Sequence, residues 1–154
     1  MIIKWVEYME IVEFKNKLWD LGRDFSSNME KIFCPIVDKY GLTTLQTRVL
    51  SSILENKELT VGEVATKLNL TGGNASALCK KLEKSGLLER SRCKEDERRV
   101  ILRVSKRGEE ILLEMKLEIE KRFETFLENE TEESLLKVID GLEKARDFLK
   151  NIAN

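Results

Sequence analysis

The 154-residue chain has no histidine, a single proline (Pro35) and a single glutamine (Gln46). Without imidazole, histidine-based general acid and base catalysis is excluded. The three cysteines, Cys34, Cys79 and Cys93, show no C-x-x-C spacing, so a structural zinc site has no ligand set. Odd, scattered thiols fit a reducing compartment. No apolar run approaches the roughly 18 residues that span a bilayer. The start, Met1-Ile2-Ile3-Lys4-Trp5-Val6-Glu7, lacks a charged segment followed by a long apolar one, so a cytoplasmic location is expected. Thr71-Gly72-Gly73 has no lysine at phosphate-loop spacing. The carboxylates lie at helical salt-bridge spacing, as with Glu114, Glu118 and Lys121. An enzyme is therefore not expected, and neither is a cofactor or a metal.

What is present is charge, at 36% of residues, on an apolar fraction of 42%, which is within the globular range. The net charge of −1 argues against nucleic acid by itself; its distribution argues for it. Residues 80–107 hold eleven Lys and Arg against five Asp and Glu, a local +6. Residues 108–154 hold seven against thirteen, a local −6, and residues 1–79 hold nine against ten. A basic segment on an acidic body is the footprint of a protein that meets DNA with one face.

The basic segment has a readable plan. Thr60 with Glu63 three residues on is a capping-box pattern. Val61, Val64, Ala65 and Leu68 then share one helical face. Asn69-Leu70-Thr71-Gly72-Gly73 breaks the pattern, and a second helix runs to about Ser85, with Ala75, Leu78, Cys79 and Leu82 inward and Gly86 as its stop. Its other face carries Gly73, Ser76, Ala77, Lys80, Lys81 and Lys84. A helix entering a major groove needs small residues and hydroxyls or amides near its N-terminus, and cations further along for phosphates. Thr71, Gly72, Gly73, Asn74 and Ser76 meet the first need; Lys80 and Lys81 meet the second. The plainer alternative is a solvated lysine face on a helical hairpin. Next, Leu87–Arg92 and Val100–Val104 read as two strands around a charged tip, Cys93 to Arg98. Arg92, Arg98 and Arg99 make this a basic ribbon able to lay arginine in a minor groove. Asp96, so near Arg98 and Arg99, reads as an arginine-orienting support rather than a DNA contact.

The rest is helical, so the fold class expected is mainly α, with a small β-hairpin wing. Residues from about Val6 to Phe33 form one helix, with Leu18, Leu21, Phe25, Met29 and Ile32 stepping by three and four. Cys34-Pro35 is expected to interrupt it, Pro35–Tyr40 to restart a short turn, and Gly41 to end that. Thr43 or Thr44 caps a helix to about Glu55, followed by a polar loop, Asn56-Lys57-Glu58. Ser105 caps a long helix to about Asn129, and Thr131 caps the last one. The stripe of the last helix is Leu135, Val138, Ile139, Leu142, Ala145, Leu149 and Ile152. These long terminal helices need a partner for their apolar stripes. A second copy is the economical one and matches a palindromic operator; a self-contained three-helix bundle is the alternative.

Four segments in order resemble MarR-type (multiple antibiotic resistance) regulators: Gly41–Leu50, Lys81–Leu87, Lys94–Val100 with its Asp-x-Arg core at Asp96 and Arg98, and Val104-Ser105-Lys106-Arg107-Gly108. The last keeps a capping hydroxyl where the family has threonine. The resemblance implies one domain over 1–154: a winged helix-turn-helix at 42–105, with 6–34 and 106–152 as dimerisation helices. It implies a homodimeric repressor on double-stranded DNA, released by a small aromatic or phenolic anion. Trp19, Phe33, Tyr40 and Arg48 stand near where such effectors bind, although core packing is the better reading for most of them. Lys80-Lys81 and Glu95-Asp96-Glu97-Arg98 look most like the organic-hydroperoxide-sensing subgroup, whose sensor cysteine lies mid-way along the first helix. Here that neighbourhood is Lys17-Leu18-Trp19-Asp20, without a thiol. Cys34 is expected at a helix C-terminal end, where the dipole opposes a thiolate. Cys79 is expected in the core. Cys93 falls between Arg92 and Lys94, whose charges favour one.

Overall fold

Ile36, Val49, Leu50, Ile53, Val64, Ala75, Cys79, Leu82 and Leu102 are each 0% exposed, and the architecture follows from how they are brought together. The computed structural model describes residues 2–92 and 99–153, with side chains from residue 10 on. The elements are α1 (Ile2–Lys39), α2 (Thr44–Glu55), β1 (Leu59–Thr60), α3 (Val61–Lys67), α4 (Gly72–Lys84), β2 (Leu88–Arg92), β3 (Val100–Val104), α5 (Lys106–Leu127) and α6 (Glu132–Ala153). The class is mainly helical with a small antiparallel sheet, as expected.

The sheet has three strands in the order β1-β3-β2, not the two of a simple hairpin. Leu59 pairs with Leu102 and Thr60 with Ile101; Leu88 pairs with Val104 and Arg92 with Val100. β1 is two residues long, too short for any alternation to appear, and is held because Leu59 is buried.

The helix starts follow the sequence closely. At α2 the cap is Thr43: its hydroxyl accepts the Gln46 N–H at 3.2 Å, and Gln46 Oε1 accepts the Thr43 N–H at 2.9 Å. At α3 the Thr60 N–H donates to Glu63 Oε2 at 2.6 Å, and the Glu63 N–H donates back to Thr60 Oγ1 at 3.3 Å. The Thr60 N–H, and the Thr60 hydroxyl donating to the same Oε2 at 2.8 Å, hold the Glu63 carboxyl below its ordinary range. Three helix ends share one device. The residue after the end takes a left-handed backbone, at Gly41 (φ 66), Asn69 (φ 53) and Gly86 (φ 73). The next N–H then reaches back five residues: Leu42 to Val37, Leu70 to Ala65, and Leu87 to Leu82.

The first helix departs from expectation. α1 runs unbroken through Pro35 to Lys39. An interior proline costs about 3 kcal/mol. Ile36 and Val37, directly after it, are 0% and 5% exposed, and burying two such side chains returns about 1.5–3 kcal/mol each. Packing of the end of α1 on the head therefore outweighs the local penalty. One consequence is a second correction. Cys34 is half-buried more than a turn inside α1 rather than at a helix end, so the dipole argument does not apply there.

Contacts divide the chain into two units, residues 1–116 and 117–154. The first contains the head and all of the buried core. In the second, α6 has no buried residue. Leu136, Val138, Ile139, Leu142, Phe148, Leu149 and Ile152 are all at least 43% exposed. On α1, Ile11, Phe14, Trp19, Leu21 and Phe25 are likewise more than half exposed. Each of the two helices thus carries exposed apolar side chains along its length.

Candidate nucleic-acid interface

The outward face of α4 starts at its cap. Thr71 Oγ1 accepts the Asn74 N–H at 3.3 Å, so the hydroxyl and the first free N–H groups of the helix emerge side by side. Thr71, Gly72, Gly73 and Asn74 are all exposed. A methyl group added at Gly72 or Gly73 would meet nothing within 4 Å. Neither glycine has a positive φ. Nothing among the described residues therefore asks for glycine at these two positions, which open the first turn of α4. Their smoothness faces outward. Ser76, one turn on, is half-buried, while Lys80, Lys81 and Lys84 are exposed.

The opposite face locks α4 into the head. Ala75, Cys79 and Leu82 are completely buried, and burial pushes the Cys79 thiol up, with Arg90 opposing. Cys79 is a free, enclosed core thiol, as its place on the inward stripe predicted.

The wing leaves the head beside α4. Leu88 is buried, Arg90 half-buried, and Glu89, Ser91 and Arg92 exposed. Arg99 is exposed at the root of β3 and near enough to Glu63 to help hold that carboxylate charged. The tip, with Cys93, Lys94, Asp96 and Arg98, lies outside the described residues.

Two other basic residues of the ribbon are tied inward. Arg90 pairs with Glu83 of α4 at 3.3 Å, and Arg103 pairs with Glu58 ahead of β1. The far end of the ribbon is fastened by Ser105, 8% exposed. Its hydroxyl donates to the Gly86 carbonyl at 2.7 Å and accepts the Gly108 N–H at 3.1 Å.

The sequence profile of the MarR family matches residues 40–99, from the end of α1 to the root of β3. The organic hydroperoxide resistance transcriptional regulator of Bacillus subtilis strain 168 is 32% identical over 97 residues. That alignment spans 63% of this chain and 66% of the relative, just under two thirds of its length. A MarR family protein from Bacillus stearothermophilus superposes with a TM-score of 0.78 at 25% identity, covering 90% of this chain and 96% of that one. The head belongs to the MarR family. Its winged helix has the fold of that family's regulators. The Streptococcus pneumoniae FabT structure, solved in complex with DNA, shares the fold, with a TM-score of 0.74 at 21% identity over 87% of this chain and 98% of that one.

In this MarR-family head, α3, the Asn69 turn and α4 are the helix-turn-helix, and β2-β3 is the wing. Gly73, Lys80 and Lys81 lie on the exposed face of α4, with Ser76 at its edge, and Thr71, Gly72 and Asn74 are exposed around its first turn. Arg92 and Arg99 emerge where the wing departs. The four residues placed near an effector cleft are not core residues. Trp19 is 69% exposed, Arg48 is exposed, and Phe33 and Tyr40 are half-buried. Helical spacing marked an apolar face on α1, and that helix carries exposed apolar side chains along its length. Tyr40 donates to Glu114 of α5 at 3.0 Å, which fixes it between two elements. Lys15, Asn16, Trp19, Asp20 and Arg23 line a shallow open depression along α1.

The Arg90–Glu83 and Arg103–Glu58 pairs were not legible in the sequence. Each joins residues brought together by a turn or by the sheet, at separations that no helical period marks. No helix among the described residues is long and apolar enough to cross a membrane.

Proposed function

We propose that the chain is a homodimeric, sequence-specific repressor. The N-terminal half of α4 reads a major groove, and the wing lays Arg92, Arg98 and Arg99 against the backbone and the adjacent minor groove. Asp96 orients an arginine of the wing tip. The observation that carries this reading is the outward face of α4. It combines two glycines that nothing among the described residues requires, a cap that leaves polar groups facing out, and a lysine row two turns further on. Small residues let the helix backbone approach base edges, and the cations meet phosphates. The exposed apolar residues of α1 and α6, among them Trp19, Leu136 and Ile152, support a second copy as partner, which would place two heads for a palindromic operator. Release by a small aromatic or phenolic anion is what the family resemblance implies, and no residue is assigned to it.

The test is a titration of a duplex from upstream of the chain's own coding sequence at several salt concentrations. A repressor neutralising several phosphates loses affinity steeply, with a log–log slope close to −0.9 per phosphate contact. Affinity independent of salt, or no binding, would mean that the winged helix binds protein instead.

A second reading, thiol-based release, draws on the hydroperoxide-resistance relative. Against it, the mid-α1 positions carry no cysteine and Cys79 is buried with a raised thiol. Peroxide is expected not to act through α1. Loss of operator binding on stoichiometric hydroperoxide that vanishes in Cys34→Ser, but persists in Cys93→Ser, would reverse this.

A further inference from the structure

Arg90 belongs to the basic wing by sequence, yet its side chain turns back to α4. Its Nη1 lies 3.3 Å from Glu83 Oε2. The Arg90 side chain is 21% exposed and that of Glu83 43%. Arg90 Nε is enclosed, with no acceptor among the described residues. Arg90 also acts electrostatically on Cys79, one helical turn before Glu83. The guanidinium therefore lies along the edge of α4 facing the ribbon, while Lys80, Lys81 and Lys84 keep the outward face.

The pair sits at a critical point of the ribbon. Leu88 and Arg90 are the inward residues of β2, and Ser91 and Arg92 beyond them are exposed. Past Arg90, Ile101 still pairs with Thr60 of β1 as well as with Ser91, and among the described pairings only Arg92–Val100 is two-stranded. Two-stranded ribbons are marginal by themselves. Arg90 is thus the last inward side chain of β2 before the ribbon leaves α4, and a guanidinium fork is a stiff contact to have there.

We infer that the Glu83–Arg90 pair is a positioning brace: it fixes the wing against the recognition helix, and so governs DNA affinity without itself touching DNA. The inference rests on the DNA-binding reading above. It makes an unusual demand on sign. Glu83 stands among lysines on a DNA-reading helix, so removing its negative charge should strengthen DNA binding if charge alone mattered. If Glu83 is a brace, removing it weakens binding.

The experiment uses the full chain with Glu83→Gln, Arg90→Gln and the double variant. Binding to the upstream duplex is read by fluorescence anisotropy across salt, and urea unfolding checks the fold. Each single change should weaken binding roughly three- to tenfold, the double variant no more than the worse single, because coupled partners are non-additive. The salt slope should stay unchanged, since no phosphate contact is lost. Arg90→Lys, which keeps the charge without the fork, should recover part of the loss. Arg90 Nε–H exchange, followed by nuclear magnetic resonance without DNA, should be slow in the wild type and fast in Glu83→Gln. Tighter binding by Glu83→Gln, additive effects, or a slope reduced by about one unit in Arg90→Gln would overturn the brace. A wild type that binds no duplex while its Nε–H stays protected would instead overturn the DNA-binding reading, and this inference with it.

Discussion

Replacing Gly108 by alanine should separate packing from chain flexibility at the joint where α5 meets the head. A methyl group there would lie 2.4 Å from the Leu87 carbonyl oxygen and 2.7 Å from Val104 Cγ1. The carbonyl cannot yield cheaply. It accepts the Ser105 N–H at 3.1 Å, and Ser105 in turn holds Gly86 and Gly108. Relief requires α5 to move away by most of an ångström. Overpacking of this kind costs about 1–3 kcal/mol, and weakening two hydrogen bonds costs about 1–2 kcal/mol more. The better helix propensity of alanine offsets about 1 kcal/mol. The net loss should be roughly 1–4 kcal/mol, seen in urea unfolding followed by circular dichroism as a lower midpoint at an unchanged m-value. Gly62→Ala is the control, because its methyl group would meet nothing closer than 4.0 Å. DNA affinity should fall with Gly108→Ala, since Ser105 fastens the end of the wing to the end of α4. Stability within about 0.5 kcal/mol of wild type would show that the joint is loosely packed and that the argument from the close approach is wrong.

Four other outcomes are expected. Lys80→Ala should weaken binding to all duplexes alike and reduce the salt slope by about one unit; a loss confined to one base pair would make Lys80 a base reader. Asp96→Ala should weaken operator binding although it removes a negative charge, and tighter binding would refute its supporting role. Leu142→Glu, placed on the exposed stripe of α6, should give monomers or unfolded protein on sedimentation, and a well-folded dimer would contradict the arrangement. The Glu63 carboxyl is held low by the cap bonds to Thr60, so its contribution is present above the unfolded carboxylate pKa and lost as pH falls through the lower folded one. Wild type should accordingly lose its advantage over Glu63→Gln on acidification below about pH 4, and a gap independent of pH would exclude the ionised cap.

The head was legible where local chemistry and burial agree. Thr60 and Ser105 cap where a hydroxyl precedes a periodic stripe, Thr43 is the cap of the two threonines offered, and Gly41 and Gly86 stop helices because the turns need positive φ. What was not legible depends on distant residues. Pro35 forecast a break that the burial of Ile36 and Val37 prevents. β1 exists only because Leu59 and Thr60 meet β3, some forty residues later in the chain. Trp19 and its neighbours read as core because an apolar stripe says that a face wants cover without saying which chain supplies it.

The candidate site divides along the same line. Which residues of α4 face outward could be read from period alone, since the inward set is fixed by Ala75, Cys79 and Leu82. Which arginines of the wing are free could not. Arg90, Arg92, Arg99 and Arg103 are equivalent in composition, but register decides their fates. Arg103 pairs opposite Glu89 in the ribbon and is drawn to Glu58, while Arg90, two residues before the exposed Arg92, is drawn to Glu83. The eleven cations of residues 80–107 therefore overstate what that segment can offer DNA. Two of its cations are already neutralised by carboxylates of the head, and the phosphate count should track the lysines of α4 with Arg92, Arg99 and the tip. A salt slope close to that smaller set, rather than to all eleven cations of residues 80–107, is what the ion pairs predict.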